Sequence, residues 1–510
     1  MTSTVVTCDF TLERLPMSEI EHLDVLVVGA GLSGIDAGYW LKTKSPDRSW
    51  AIFEARDAIG GTWDLFRYPG IRSDSDMTTL GFPFRPWHGE KAIADGADIR
   101  DYIEDTACEF GIDRKIRMRH RVTAADWSSA KARWTIAYLA DGEPRRMTCS
   151  FLFLGSGYYD YQDGHSPNWP GIDTFEGKTV HPQFWPEDLS VAGRKVVVIG
   201  SGATAVTLVP ALVAKGAAHV TMLQRSPTYI VSKSSHDEGG KALRSRLPAP
   251  IADAAIRWKN IGYSIFVYNA SRRKPDVVKR KIAAQQTELL GPDFDIARHL
   301  TPRYNPWDQR LCLVPDGDLF EVLRAGQATI ATDQIERFTP EGVKLRSGAE
   351  LKADIVVTAT GLKLKMMGGA ALSVDGEVVE PGTRLLYKGA MLEGVPNFAF
   401  SVGYTNASWT LKCDLTSRYV SRLLNHMAKH GRRSATPVAP EGAAIEEPML
   451  DLQSGYVKRA QNMLPRQGAK APWKTHQNYV RDLLAFRTGG IDDGVLHFDM
   501  ATSGAREKAA

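Results

Sequence analysis

Two glycine-rich stretches, and the residues that close the strands behind them, carry the first chemistry in this chain: Gly29-Ala30-Gly31-Leu32-Ser33-Gly34 and Gly200-Ser201-Gly202-Ala203-Thr204-Ala205. In such a turn the first glycine permits a tight bend, the second lets the backbone approach a pyrophosphate, and the third position sets helix against strand. The helix that follows offers free N–H groups and the positive end of its dipole to the phosphates. Gly29, Gly31 and Gly34 would serve one dinucleotide, and Gly200, Gly202 and Thr204 a second. A bare glycine pattern also occurs in ordinary turns, so the flanking elements decide.

At the first site Asp24-Val25-Leu26-Val27-Val28 predicts a buried parallel strand, residues 35–42 a helix with Trp40 and Leu41 on its apolar side, and Trp50-Ala51-Ile52-Phe53 a second strand ending at Glu54. A carboxylate there accepts hydrogen bonds from both ribose hydroxyls, which suits FAD or NAD and excludes a 2'-phosphate. At the second site Lys195–Ile199 predicts the strand, residues 203–214 the helix and His219–Leu223 the next strand, which ends in Gln224-Arg225-Ser226 with no acid. A guanidinium there pairs with a 2'-phosphate, so Arg225 and Ser226 point to NADPH. The plain alternative is a solvated strand-end charge.

The elements that must position these turns follow a strand–helix–strand order twice over. The pattern predicts an α/β chain with two Rossmann-like dinucleotide-binding domains and a helical insertion. The expected division is 1–160 for the first part of the FAD domain, 161–230 and 300–366 for the two parts of the NADP domain, 231–299 for an Arg/Lys-rich helical insertion, and 367–510 for the return to the FAD domain. Phe151–Leu154 and Asp354–Gly361 predict the strands that close the two folds. An arm before residue 22, a Pro/Ala/Glu-rich loop over 435–448 and a frayed tail at 501–510 are expected to lie outside the core.

At 510 residues, with 43% apolar and 24% charged residues, the composition is that of a globular protein, and a net charge of +4 is too small to argue for nucleic acid. Cys8, Cys108, Cys149, Cys312 and Cys413 form no C-x-x-C pair, which argues against a zinc site, a disulfide scaffold and a redox dithiol. No metal site is expected. The most apolar stretch, Val25 to Leu41, is interrupted by glycines and Asp36, so no membrane span is expected. The acidic start of the chain lacks the pattern of a secretory signal, which makes the expected address cytoplasmic. Gly171 and Gly177-Lys178-Thr179 mimic a P-loop, but five residues separate the glycines where that motif has four, and no strand precedes them.

Between the two folds lies Phe175-x-Gly177-x-x-x-His181-x-x-x-Trp185-Pro186. Together with both glycine turns, this spacing resembles the signature of the Baeyer-Villiger monooxygenases, within the class B flavoprotein monooxygenases. The segments Gly60-Gly61-Thr62-Trp63 and Arg67-Tyr68-Pro69-Gly70-Ile71-Arg72-Ser73-Asp74 resemble that family's flavin-proximal loop. Tyr304-Asn305-Pro306-Trp307-Asp308-Gln309-Arg310 and Gly403-Tyr404-Thr405-Asn406-Ala407-Ser408-Trp409 resemble the branch that contains an actinobacterial thioamide-prodrug activator. The resemblance implies Gly61, Thr62, Trp63 and Asp74 near FAD, and Arg310 as the catalytic arginine. It also implies that NADPH reduces FAD, O2 adds at the flavin C4a, and the resulting peroxide attacks a ketone to give an ester or lactone. His181 is expected to tie the linker together rather than to act as a base. A buried Arg310 needs a partner, and Asp74 is the candidate. Tyr404, Thr405 and Trp409 are candidate pocket linings. Oxygenation of sulfur or nitrogen by a related flavoprotein and a non-catalytic NADPH sensor stand as alternatives, whereas a disulfide reductase would need a dithiol.

Overall fold

The computed structural model describes residues 20–440, 443, 447–450 and 454–500. The expected arm over residues 1–19, the tail at 501–510 and residues 441–442 and 444–446 of the expected loop lie outside the described residues.

A nine-stranded sheet organises the first fold. His22–Val28 runs parallel to Trp50–Phe53 on one side and to Glu143–Leu154 on the other, with Phe398–Phe400 parallel to the end of that last strand. Val25, Leu26, Val27 and Ile52 are fully buried, because both faces of these parallel strands are covered. Each such side chain contributes about 2 kcal/mol through burial. His120–Ser128, Arg133–Ala140 and Glu143–Leu154 form an antiparallel meander that extends the sheet, and Ala371–Val374 joins its outer edge. The helix Leu32–Lys44 lies against the helix Trp409–Lys429, where Trp40 Nε1 donates to Asp414 and Ser33 Oγ meets Cys413 Sγ. Ala371–Val374, Phe398–Phe400 and the helix Trp409–Lys429 thus belong to the first fold.

The second fold is a five-stranded parallel sheet in the order Ala328–Thr332, His219–Gln224, Lys195–Ile199, Ile355–Thr358, Lys178–Val180. Lys178 therefore opens an edge strand and not a phosphate loop. The same backbone device recurs in both folds. Gly29 has φ +101°, and a Cβ there would stand 2.7 Å from the carbonyl oxygen of Gly155; Gly200 has φ +145°, and its Cβ would stand 2.3 Å from that of Ala359. At the third position the folds differ: a Cβ on Gly34 would come within 1.8 Å of the Gly29 carbonyl, while the second fold accepts Ala205.

The chain passes between the sheets on two short antiparallel strands, Tyr159–Gly164 and Leu362–Leu364. The boundary expected at 160/161 therefore cuts a strand. The insertion expected from 231 likewise begins inside a strand, because Ile230–Lys233 pairs with Cys312–Pro315; its helices are Glu238–Arg244, Ala249–Arg273, Pro275–Leu290 and Ile296–His299. The loop expected from 435 also starts later, since Arg432–Pro437 pairs with Leu496–Met500 and buries Ala435.

Candidate functional site

A single cavity of about 1110 Å³ is lined by both glycine turns. That exceeds the roughly 300–1,000 Å³ of ordinary small-molecule pockets, as two dinucleotides require. Gly29, Gly31, Glu54, Gly61, Thr62, Trp63 and Asp74 line it from the first fold, and Gly200, Gly202, Thr204, Arg225, Ser226 and Arg310 from the second. Gly34 does not line it; its place is under the helix, against Gly29.

In the first half the helix Leu32–Lys44 starts at Gly31 with no capping side chain, which leaves its first N–H groups for an anion. Gly61, at φ +57°, brings its Cα to within 3.4 Å of where a Gly31 Cβ would sit, so the two glycines make the floor of a narrow slot. Glu54 is buried and aimed by the backbone: Oε2 accepts from Ala30 N at 2.7 Å and Oε1 from Arg56 N at 2.9 Å. Burial pushes its carboxyl pKa up, and those backbone N–H groups partly offset this. Asp64, also buried, holds Arg56 and Arg67, each at 2.6 Å, and so fixes the Gly60–Trp63 loop. These donors and acceptors fit an adenine dinucleotide with a free ribose diol.

The second half is more open. The helix Ala203–Ala214 also starts at an uncapped glycine, and a Cβ on Gly202 would meet nothing within 4 Å, which leaves open space before the helix N-terminus. Gln224, at the strand end, spends its amide on the His299 carbonyl and Thr332 Oγ1, at 2.7 and 2.8 Å. Arg225 is exposed on the wall and has no carboxylate partner among the described residues. Asp333 lines the same wall but is committed to the backbone N–H groups of Gln334 and Ser347.

Where the halves meet, Arg310 and Asp74 form a two-pronged ion pair: Nε to Oδ2 and Nη2 to Oδ1, both 3.1 Å. Arg310 keeps 37% of its side-chain surface open although it lies deep in the protein, so the open face is cavity. The Asp74 carboxylate is the main reason its pKa is raised above the ordinary arginine value, against the opposing pull of burial. The segment carrying Arg310 is pinned: Tyr229 donates to the Tyr304 carbonyl at 2.6 Å, Thr228 and Tyr304 hydroxyls meet at 3.0 Å, and Trp307 is held at φ +71°.

Tyr158, Tyr159 and Tyr456 line the cavity near Arg310, and sequence reasoning missed all three. The hydroxyls of Tyr158 and Tyr159 are 3.3 Å apart, and burial is the main cause of their raised pKa values, so both stay protonated. Trp409 lines the cavity beside Tyr158, ring centres 5.1 Å apart, and donates to Ser33 Oγ at 3.0 Å. Tyr404 and Thr405 do not line it. Tyr404 donates to buried Asp482 and Thr405 binds Gln477, because the segment turns inward before the helix begins.

Phe175, Gly177, His181, Trp185 and Pro186 also lie outside the cavity lining. Phe175 packs against Phe338, and Gly177 is needed because a Cβ would sit 2.4 Å from the Asp354 carbonyl. The His181 ring lies against Gly164 on one crossing strand and beside the Gly361 carbonyl at the start of the other, while its Nδ1 accepts from Gln183 N at 3.2 Å. Burial depresses its pKa, so the imidazole is neutral and suited to hydrogen bonds.

Two uncapped helix starts, an acid at one strand end and a cation at the other, and a half-buried ion pair facing the cavity between them are the features of an oxidoreductase site built for nucleotides. Comparison with known proteins agrees. Residues 23–242 match the flavin-binding monooxygenase-like family. The FAD-containing monooxygenase EthA of Mycobacterium tuberculosis is 52% identical over 478 residues, 94% of this chain and 98% of the relative. Its namesake in Mycolicibacterium smegmatis is 52% identical, covering 94% and 97%. Among solved structures, an oxidized steroid monooxygenase bound to NADP matches with TM-score 0.75 at 21% identity, covering 94% of this chain and all of that one. A cyclohexanone monooxygenase from Rhodococcus sp. Phi1 bound to NADP+ matches with TM-score 0.73 at 20% identity and the same coverage. At those identities the structures speak to the fold alone. The chain belongs to the flavin-binding monooxygenase-like family and is a flavin-dependent oxidoreductase.

Proposed function

We propose that this protein holds FAD in the first half of the cavity and NADPH in the second, and inserts one oxygen atom of O2 beside a ketone carbonyl to give an ester or lactone. Glu54 would accept from the adenosine ribose of FAD, and Arg225 with Ser226 would take the 2'-phosphate of NADPH. When bound, the reduced flavin supplies the activation of O2. The protein's part is charge, position and dryness. The observation that carries the reading is the Arg310–Asp74 pair at the meeting point of both halves.

Two N–H groups of Arg310, on Nε and Nη2, face Asp74; those on Nη1 and the second on Nη2 remain for oxygen atoms in the cavity. A fixed cation there stabilises negative charge that builds on a carbonyl oxygen under attack, on the order of 3 kcal/mol, or roughly 100-fold in rate. Asp74 fixes the plane of the guanidinium, so its donors need no reorganisation during the reaction. The protonated Tyr158 and Tyr159 offer neutral hydroxyl donors, and Trp409 and Met367 add apolar wall that excludes water.

Oxygen transfer to sulfur is the second reading. The aromatic wall of Tyr158 and Trp409 favours it, because soft sulfur compounds pack well against rings and their oxidation builds no carbonyl oxyanion. Mass spectrometry of products from flavin-loaded protein, NADPH and a panel of ketones and sulfides separates the two. Esters that disappear in Arg310→Ala while flavin reduction persists support the ketone reading. Ester formation unchanged in that variant overturns the role of Arg310, and sulfoxides without esters establish the second reading.

A further inference from the structure

The helix Ala249–Arg273 has two faces with different partners. Its inner face braces both segments of the Arg310–Asp74 pair. Arg257 Nη1 donates to the carbonyls of Thr78 and Gly81 at 2.6 and 2.9 Å, and Asn260 Nδ2 donates to Asp76 Oδ1 at 3.1 Å, a short step along the chain from Asp74. On the other segment, Arg272 pairs with Asp308 at 2.6 Å and Tyr268 packs edge-on to Trp307.

The outer face carries Ile251, Ala255, Trp258, Gly262 and Phe266, spaced at three to four residues along one stripe. Ile251 is 57% exposed and Phe266 69%, and Trp258 keeps 48% of its surface open with one side packed on Tyr479, ring centres 5.9 Å apart. Single exposed apolar residues are ordinary; a row of them along a helix of about 37 Å is not. Cations flank both ends of the stripe. Arg246 precedes it and Arg273, Lys274, Arg280 and Lys281 follow, all exposed and without ion-pair partners among the described residues; Asp276 nearby is engaged by Lys279. No helix among the described residues is long and apolar enough to cross a membrane.

We propose that this outer face docks on the surface of an anionic lipid bilayer, with Trp258 and Phe266 sunk among the acyl chains and the flanking cations on the headgroups. The charge pattern argues for lipid over a second copy of the chain. A two-fold interface brings the same patch together, so either direction of pairing would set one cationic end of the helix against another. An anionic headgroup layer meets both ends at once, and a helix with an apolar stripe and basic flanks is the kind that lies in that layer. Resting on the oxygenation reading, docking here would let apolar substrate leave the bilayer next to the helix that braces the catalytic pair.

The test needs no turnover, so its failure is distinct from failure of the oxygenation reading. Flavin-loaded full-length protein is floated with vesicles of phosphatidylcholine alone or with one third phosphatidylglycerol. Binding to the anionic vesicles, at least tenfold weaker on pure phosphatidylcholine, is the expected result. Arg273→Gln/Lys274→Gln/Arg280→Gln/Lys281→Gln should weaken it more than tenfold, since each cation at such a surface is worth about fivefold. Trp258→Ser/Phe266→Ser should do the same while NADPH oxidation with a soluble substrate stays unchanged. Wild-type protein that does not float with anionic vesicles, or variants that float equally well, would overturn the proposal. A stable dimer by light scattering that Trp258→Ser/Phe266→Ser converts to monomer would assign the face to a second copy instead.

Discussion

Arg225 offers a sharp measurement because the structure isolates its charge. It lines the cavity at the end of His219–Gln224, no carboxylate pairs with it among the described residues, and Asp333, which also lines the cavity, is already bound to backbone N–H groups. On the proposed reading, its contribution to NADPH binding would be that of a charged hydrogen-bonded pair with the 2'-phosphate, about 2 kcal/mol at this exposed position. Arg225→Ala should lower kcat/KM for NADPH about 30-fold. NADH lacks the phosphate, so its kcat/KM should stay within about twofold. The assay is anaerobic flavin reduction followed at the flavin absorbance band, which reads hydride delivery without the oxygen chemistry. Equal losses for both coenzymes would mean that Arg225 shapes the loop rather than reading the phosphate, and the assignment of the second half to NADPH would lose its main support.

Three further outcomes test other parts of the structure. Gly34→Ala places a methyl group 1.8 Å from the Gly29 carbonyl, so the purified variant should lose bound flavin and melt well below wild type in a thermal scan, whereas Ala205→Gly, at the matching position of the second fold, should keep its flavin. Asp482 pairs with Lys412 at 2.8 Å with both side chains almost wholly buried, and Tyr404 donates to the same oxygen. Asp482→Ala strands the ammonium and should cost about 3–5 kcal/mol in denaturant unfolding, much of it recovered by Lys412→Met in the same chain. Asp36 is fully buried, and burial first and the neighbouring Asp414 second hold its pKa well above the ordinary aspartate value. Because the native state binds its proton more tightly than the unfolded chain, its contribution to stability is present below the unfolded pKa and lost as pH rises through the folded one, at up to about 1.4 kcal/mol per pH unit. Asp36→Asn should therefore flatten the fall in melting temperature between mildly acidic and alkaline pH; an unchanged slope would place the titrating group elsewhere.

The two nucleotide folds were legible because backbone geometry dictates residue type there. Only glycine serves at φ +101° against the Gly155 carbonyl, so the turn and its flanking strand and helix could be read from residue type. The Arg310–Asp74 pair was approachable only through family resemblance, since the partners lie on different folds and no local pattern links them. Tyr158, Tyr159 and Tyr456 left no pattern at all: tyrosines beside a strand are ordinary packing until the second fold brings an arginine to them. The short crossing strands were missed for a similar reason. Tyr159–Gly164 is polar and half-exposed, and pairs with a segment from the far side of the second fold. Tyr404 and Thr405 share a motif with Trp409 but turn inward, which spacing in the sequence does not reveal.

Gly164 and Leu362 are register partners on the crossing strands, so the two ends of everything between them emerge side by side. The nine-stranded sheet is complete without that intervening stretch, which supplies it with no strand. A tight hairpin turn joining those two positions would close the circuit and yield a shortened polypeptide whose first sheet keeps its connectivity. The junction between the two folds is thus a single pair of adjacent chain ends, and the second fold can be excised there without breaking a rung of the first sheet.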